Sequence, residues 1–263
     1  MTTAELKQKD GVILVGHRGY AALYPENTIV SYEAAAKAGV DIIEVDVTLS
    51  RDKVVMISHD DRLDRVSNGH GLVADFTAQE LQRLDCGTKA GLAFAGEPMP
   101  TFAQVIELMK RYPELMMDVD FKVCPAIWET VERTMPMLEE AGLLDRCIFN
   151  SCDGNVTRYL SRERGLLTVG CPHDYPGRAN FDPGPDGTYA HLWAVCVPIE
   201  DLTPERADFY REKGIVLACC SPDTPEQFRL TRACGVKMAI CDDPVFYRDA
   251  LSRERAEGHT VKE

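Results

Sequence analysis

Residues 41–60 read DIIEVDVTLSRDKVVMISHD. The segment contains two β-like apolar runs, 41–47 and 53–58, joined only by a short polar link. A parallel crossover needs about a dozen residues or more, so these runs are the arms of an antiparallel hairpin. Taking Asp52-Lys53 as a two-residue turn sets Asp46 opposite His59 on one face. Glu44 and Asp46 lie two apart, so an extended chain points both carboxylates to the same side. The flanking Val40, Ile42, Ile43, Val45 and Val47 leave no wet face to receive them.

Outward from this hairpin, strand-like and helix-like segments alternate. Strand candidates fall at 12–16, 41–47, 53–58, 115–121, 146–151, 166–170, 192–197, 214–219 and 236–241. Helical candidates fall at 28–38, 101–111, 125–141, 154–164, 204–213 and 225–234. Such alternation predicts a mostly parallel sheet with helices outside. Asn27 or Thr28 caps the first helix and Gly39 closes it. Nine strands are one too many for an eight-strand barrel, and removing the hairpin arm at 53–58 leaves eight. The 263 residues suit one barrel of about 250 residues as well as two small domains. Residues 60–100 break the alternation and read as an insertion or lid over the strand ends. The loop-rich stretch 171–189 is a second interruption.

The net charge of −13 argues against a nucleic-acid backbone or an anionic membrane as the main partner, since both need basic surface. A small anionic substrate needs only a local group of cations. The ten cysteines include no Cys-x-x-Cys pair and several lie in apolar runs, as expected for reduced, packed thiols. The first ten residues carry no apolar signal region, and no run approaches the ~20 residues of a membrane span. A cytoplasmic enzyme is the expectation.

Polar residues gather where apolar runs end: His17-Arg18-Gly19 after 12–15, Glu44 and Asp46 within the second strand, and His59-Asp60 after 54–57. Two inward carboxylates repel one another unless a cation holds them, and hard oxygen ligands favour magnesium or calcium over zinc. Asp118, Asp120 and Lys122 share a face of the strand at 115–121 and offer a third ligand and an ammonium for phosphate. Histidine supplies both an acid and a base near neutral pH, which suits His17 and His59 to phosphodiester cleavage. Arg18 can bind phosphate oxygens in a bidentate way.

These segments, with Pro25-Glu26-Asn27-Thr28, Leu63-Asp64-Arg65, Gly69-His70-Gly71, Pro100-Thr101-Phe102, Ser151-Cys152-Asp153 and Asp242-Asp243-Pro244, resemble the glycerophosphodiester phosphodiesterase family through most of the chain. The resemblance implies a TIM-type (β/α)8 barrel over 1–263, with the 60–100 insertion as a small subdomain. It implies a divalent cation, calcium or magnesium with manganese as a further choice, on Glu44, Asp46 and Asp120. It implies His17 and His59 as general acid and base, and Arg18 and Lys122 on the phosphate. The substrate implied is a small glycerophosphodiester, cleaved to glycerol 3-phosphate and an alcohol by attack of the neighbouring glycerol hydroxyl, then hydrolysis of a cyclic phosphate.

Three positions depart from the family pattern. Asp120 stands where Glu is usual. Cys219-Cys220-Ser221-Pro222-Asp223 occupies the region of a late Trp-Thr-Val-Asn run, which removes an aromatic wall. Cys241 replaces the Thr of the usual terminal Thr-Asp-x-Pro. Two alternatives follow: a phospholipase D-type or cyclising enzyme for a lysolipid, with Leu92-Ala93-Phe94 contributing to an apolar groove, and a non-catalytic barrel that binds a phosphate ligand. Turnover of glycerophosphocholine against lysophosphatidylcholine separates the first from the main reading, and loss of turnover on chelation eliminates the second.

Overall fold

A computed structural model describes residues 1–182 and 187–258. Part of the loop-rich stretch, 183–186, and His259 lie outside the described residues. All nine expected strands form: β1 (Ile13–Gly16), β2 (Ile42–Leu49), β3 (Val55–Ile57), β4 (Met116–Phe121), β5 (Cys147–Asn150), β6 (Thr168–Gly170), β7 (Ala194–Pro198), β8 (Val216–Cys220) and β9 (Met238–Cys241). Their order is β1-β9-β8-β7-β6-β5-β4-β2, closed by β1 pairing with β2. Eight parallel strands thus form a TIM-type barrel. Helices α1 (Thr3–Gln8), α2 (Ile29–Ala38), α3 (Ala78–Leu81), α4 (Phe102–Arg111), α5 (Ile127–Glu140), α6 (Gly154–Arg158), α7 (Pro204–Glu212), α8 (Pro225–Ala233) and α9 (Pro244–Ala256) accompany it.

β2 is long enough to serve two neighbours on one edge. Ile42 and Ile43 pair with β1, whereas Val47, Thr48 and Leu49 pair antiparallel with β3. The hairpin therefore stands above the barrel at its C-terminal rim, where active sites of this architecture lie. Its register differs by one residue from the expected pairing. Val47 faces Ile57 and Leu49 faces Val55, and the Ser58 amide donates to the Asp46 carbonyl at 3.1 Å. Asp46 thus opposes Ser58, not His59. The cause is a three-residue turn, with Lys53 in the left-handed region at φ 65° and its amide donating to the Ser50 carbonyl at 3.0 Å.

The inward stripes change character along the barrel. Ile13, Val15, Ile42, Met116, Ile148 and Ile240 fill the lower interior. The same stripe continues upward on β2 as Glu44 and Asp46, and on β4 as Asp118 and Asp120. Residues of the opposite face, such as Val45, Val47, Val119 and Phe121, pack with Phe102, Val105 and Met135 of the helical layer. Burial of both strand faces explains the near-continuous apolar runs. Among the described residues no helix is long and apolar enough to cross a membrane.

Candidate active site

The polar strand ends converge on one cavity of about 1070 Å³, whose wall includes His17, Arg18, Glu44, His59, Asp120 and Lys122. At the end of β1 the chain turns back sharply. Arg18 has φ 53° and Gly19 φ 93°. A Cβ on Gly19 would lie 2.3 Å from Ser31 Oγ, so helix α2 packs directly on this turn. The turn aims the Arg18 amide at Glu44 Oε2, to which it donates at 2.8 Å.

Register builds the acidic cluster. Glu44 lies beside Asp118 and Asp46 beside Asp120 on the paired strands β2 and β4. Ligand oxygens of Glu44, Asp46 and Asp120 all lie within 4.8 Å of one another. The shorter side chain of Asp120 therefore still reaches the cluster, because it starts directly opposite Asp46. Asp118 lies one step deeper, fully buried, with neither carboxylate oxygen hydrogen-bonded. Burial, then the neighbouring Asp46, pushes the Glu44 carboxyl well above the usual range. Burial also acts on Asp46, but Lys122 and Arg18 outweigh it and hold that carboxylate down.

The two cations expected at the phosphate already have carboxylate partners. Lys122 Nζ lies 2.6 Å from both Asp46 Oδ1 and Asp120 Oδ2. Arg18 Nη1 donates to Glu26 Oε1 at 2.9 Å, while its buried Nε, 3.5 Å from Asp46 Oδ2, makes no hydrogen bond. Asn27 completes the frame: its Nδ2 donates to Asp46 Oδ2 and its Oδ1 accepts from Tyr32 Oη, both at 2.7 Å.

The histidines are held alike, but their surroundings shift their pKa values in opposite directions. His17 Nδ1 lies 2.6 Å from Asp242 Oδ1, and His59 Nδ1 lies 2.7 Å from Asp60 Oδ1. A carboxylate at Nδ1 fixes the proton there and leaves Nε2 for chemistry. Burial disfavours the His17 imidazolium, but Cys220, Asp242 and Glu44 outweigh it and raise its pKa well above 6.5. Burial and the Lys122 ammonium instead lower His59 below 6.5. Groups whose environments push their pKa values apart divide acid from base. An ion-pair chain ties His59 to the cluster: Arg65 donates to Asp60 Oδ2 at 2.6 Å and to Glu26 Oε1 at 2.8 Å, and Glu26 holds Arg18.

The family profile of glycerophosphoryl diester phosphodiesterases matches residues 17–245. This chain belongs to that family. The family's enzymes are phosphoric diester hydrolases, and the matched span contains every residue of the site just described. A glycerophosphodiester phosphodiesterase of Caldanaerobacter subterraneus is 28% identical over 233 residues, covering 88% of this chain and 94% of that protein. A protein of Bacillus subtilis named as a putative glycerophosphodiester phosphodiesterase is 48% identical over 99 residues, 38% of this chain and 40% of its own length. An Oleispira antarctica phosphodiesterase, solved in complex with the product sn-glycerol-3-phosphate, superposes with a TM-score of 0.81 at 21% identity, over 92% of this chain and 97% of that one.

Within this family member the structure brings together His17, Arg18, Glu44, Asp46, His59, Asp120 and Lys122. The sequence offers Asn27 only as a helix cap, a place that Thr28 takes, and gives Asp60, Arg65 and Asp242 no role in the site. Asp242 stands 225 positions from His17, and only the closure of β1 on β9 brings them together. Leu92-Ala93-Phe94 forms a short 3-10 turn outside the cavity wall, with Phe94 packed on Tyr24. Aromatic surface in the wall comes from Phe121 and Tyr175, the latter from the loop-rich stretch.

Proposed function

We propose that this protein hydrolyses a small glycerophosphodiester to glycerol 3-phosphate and an alcohol. The observation that carries the reading is the histidine pair, lining one cavity beside three clustered carboxylates, each Nδ1 held by its own aspartate so that Nε2 is left for chemistry. The all-oxygen donor set of Glu44, Asp46 and Asp120 fits calcium, magnesium or manganese. Bound there, the cation supplies positive charge to the phosphate oxygens.

The remaining steps fall to the chain's own residues. Arg18 and Lys122 exchange carboxylate partners for phosphate oxygens as substrate enters. Neutral His59 accepts the proton of the neighbouring glycerol hydroxyl as that oxygen attacks phosphorus. Protonated His17 donates from Nε2 to the departing alkoxide. His17 then accepts a proton from water as the cyclic phosphate opens, and His59 returns the first proton. Residues 60–100 serve as an accessory subdomain. Their own apolar cluster, including Leu63, Val73, Leu81 and Met99, supports the Arg65 brace on Asp60 and Glu26. A cytoplasmic location agrees with the free cysteines.

The test is turnover of glycerophosphocholine, glycerophosphoethanolamine and lysophosphatidylcholine with calcium, magnesium or manganese, before and after chelation. The expected result is cation-dependent release of glycerol 3-phosphate from the soluble diesters. Undiminished turnover after exhaustive chelation, or near-normal turnover by His17→Ala or His59→Ala, would overturn the proposal. Preferred cleavage of lysophosphatidylcholine would favour the lysolipid alternative.

A further inference from the structure

Opposite the carboxylates, the cavity wall contains sulfur. Cys196 and Cys220 both line it. They stand on the paired strands β7 and β8, where Cys196 opposes Ala218 and Pro198 opposes Cys220. The two thiols thus share an inward face one repeat apart, on neighbouring strands. Cys220 Sγ lies 3.8 Å from His17 Nε2 and 3.3 Å from Ser221 Oγ. With Asp242 on His17 Nδ1, the set comprises a thiol, a base and a group that orients the base. That is the arrangement by which enzymes activate sulfur nucleophiles.

The surroundings favour a thiolate at Cys220 over its neighbours. The Cys196 contact, followed by the His17 charge, outweighs burial and draws the Cys220 thiol well below its usual range, while the same contact raises Cys196. Burial pushes Cys219, Cys147 and Cys241 upward. The Cys220 thiol therefore stands at the nitrogen from which His17 must donate.

We propose that Cys220, paired with Cys196 and His17, is a reactive thiol through which soft electrophiles and peroxides disable the active site. With iodoacetamide, sulfur forms the S–C bond and iodide leaves. With hydrogen peroxide, the Cys220 thiolate takes one oxygen as the O–O bond breaks. Sulfur is oxidised by two electrons to the sulfenic acid, and His17 protonates the departing hydroxide to water. Either adduct stands against His17 Nε2 and blocks proton delivery. The activity readout rests on the phosphodiesterase reading, whereas the site of modification does not.

The experiment treats the cation-loaded protein at pH 7 with limiting iodoacetamide, or with hydrogen peroxide plus dimedone, and maps adducts by mass spectrometry. Turnover is followed relative to each variant's own untreated rate. Cys220 is expected to be labelled about tenfold faster than the other thiols, with activity lost in step. Cys220→Ser is expected to resist inactivation, and Cys196→Ala to slow labelling of Cys220. First labelling at another thiol overturns the proposal. So does equal inactivation of Cys220→Ser and the unaltered enzyme, or full labelling of Cys220 with turnover retained. If no turnover is found with any diester, the adduct map alone decides whether Cys220 is the reactive thiol.

Discussion

Replacing Asp242 by Asn removes one charge and almost no volume beside His17. The wild-type contact is a 2.6 Å hydrogen bond from His17 Nδ1 to Asp242 Oδ1. A hydrogen bond to a charged partner contributes roughly 1.5–3 kcal/mol, and a neutral one about 0.5–1.5 kcal/mol. The imidazolium therefore loses about 1–1.5 kcal/mol relative to the neutral ring. The Asp242 side chain is 41% exposed. Solvent screening selects the lower end, about 1 kcal/mol. At ~1.36 kcal/mol per unit, the His17 pKa falls by roughly 0.7. The assay is kcat/KM for a soluble glycerophosphodiester from about pH 5 to about pH 10. Activity rises as His59 loses its proton, below 6.5. It falls as His17 loses its own, well above 6.5. Asp242→Asn moves the alkaline limb down by that amount and leaves the acid limb in place. An unmoved alkaline limb, or a shift of the acid limb alone, refutes the assignment of His17 as the acid.

Tyr32→Phe leaves the buried Asn27 Oδ1 without its donor, at a cost of about 1–3 kcal/mol; thermal unfolding should show Tm lower by several degrees. Gly19→Ala forces a Cβ against Ser31 at a φ of 93°. It should destabilise by about 2 kcal/mol or more and lower turnover through displacement of Arg18, as read by denaturant unfolding and kcat/KM. Asp120→Asn removes one charge from the acidic cluster and should weaken calcium or magnesium affinity at least about tenfold, measured by calorimetric titration. Asp60→Asn removes the charge from the contact that orients His59. It should lower kcat with little change in the alkaline limb, which a pH profile distinguishes from loss of His17.

Much of this arrangement was legible in the chain because the signals were local. A carboxylate two residues from another, inside an apolar strand, has to point into the barrel. The runs at 12–15 and 54–57 led on to histidine, and the strand at 115–121 carried two aspartates before a lysine, chemistry that packing alone does not need. The hairpin register was not legible. Its turn places Lys53 in a conformation that usually calls for glycine or asparagine, so the sequence marked the turn one residue short. Helix α9 also went unread, although Asp243 caps it and Pro244 begins it; its charged surface face hid the periodicity. The contacts that set the histidine charges were the least legible. Asp242 and Cys220 reach His17 from β9 and β8, so their meaning depends on barrel closure.

The central claim is that His59 acts as base and His17 as acid on opposite sides of one phosphodiester. A glycerophosphodiester with a nitrophenolate leaving group needs no proton from the enzyme, whereas an ethanolamine ester does. In first-turnover release of the alcohol, His17→Ala should lose about 10²–10⁴-fold on the ethanolamine ester and recover most of it on the nitrophenyl ester, although opening of the cyclic phosphate still lacks its base, while His59→Ala should be impaired on both. Equal loss on the two substrates by His17→Ala would contradict the account.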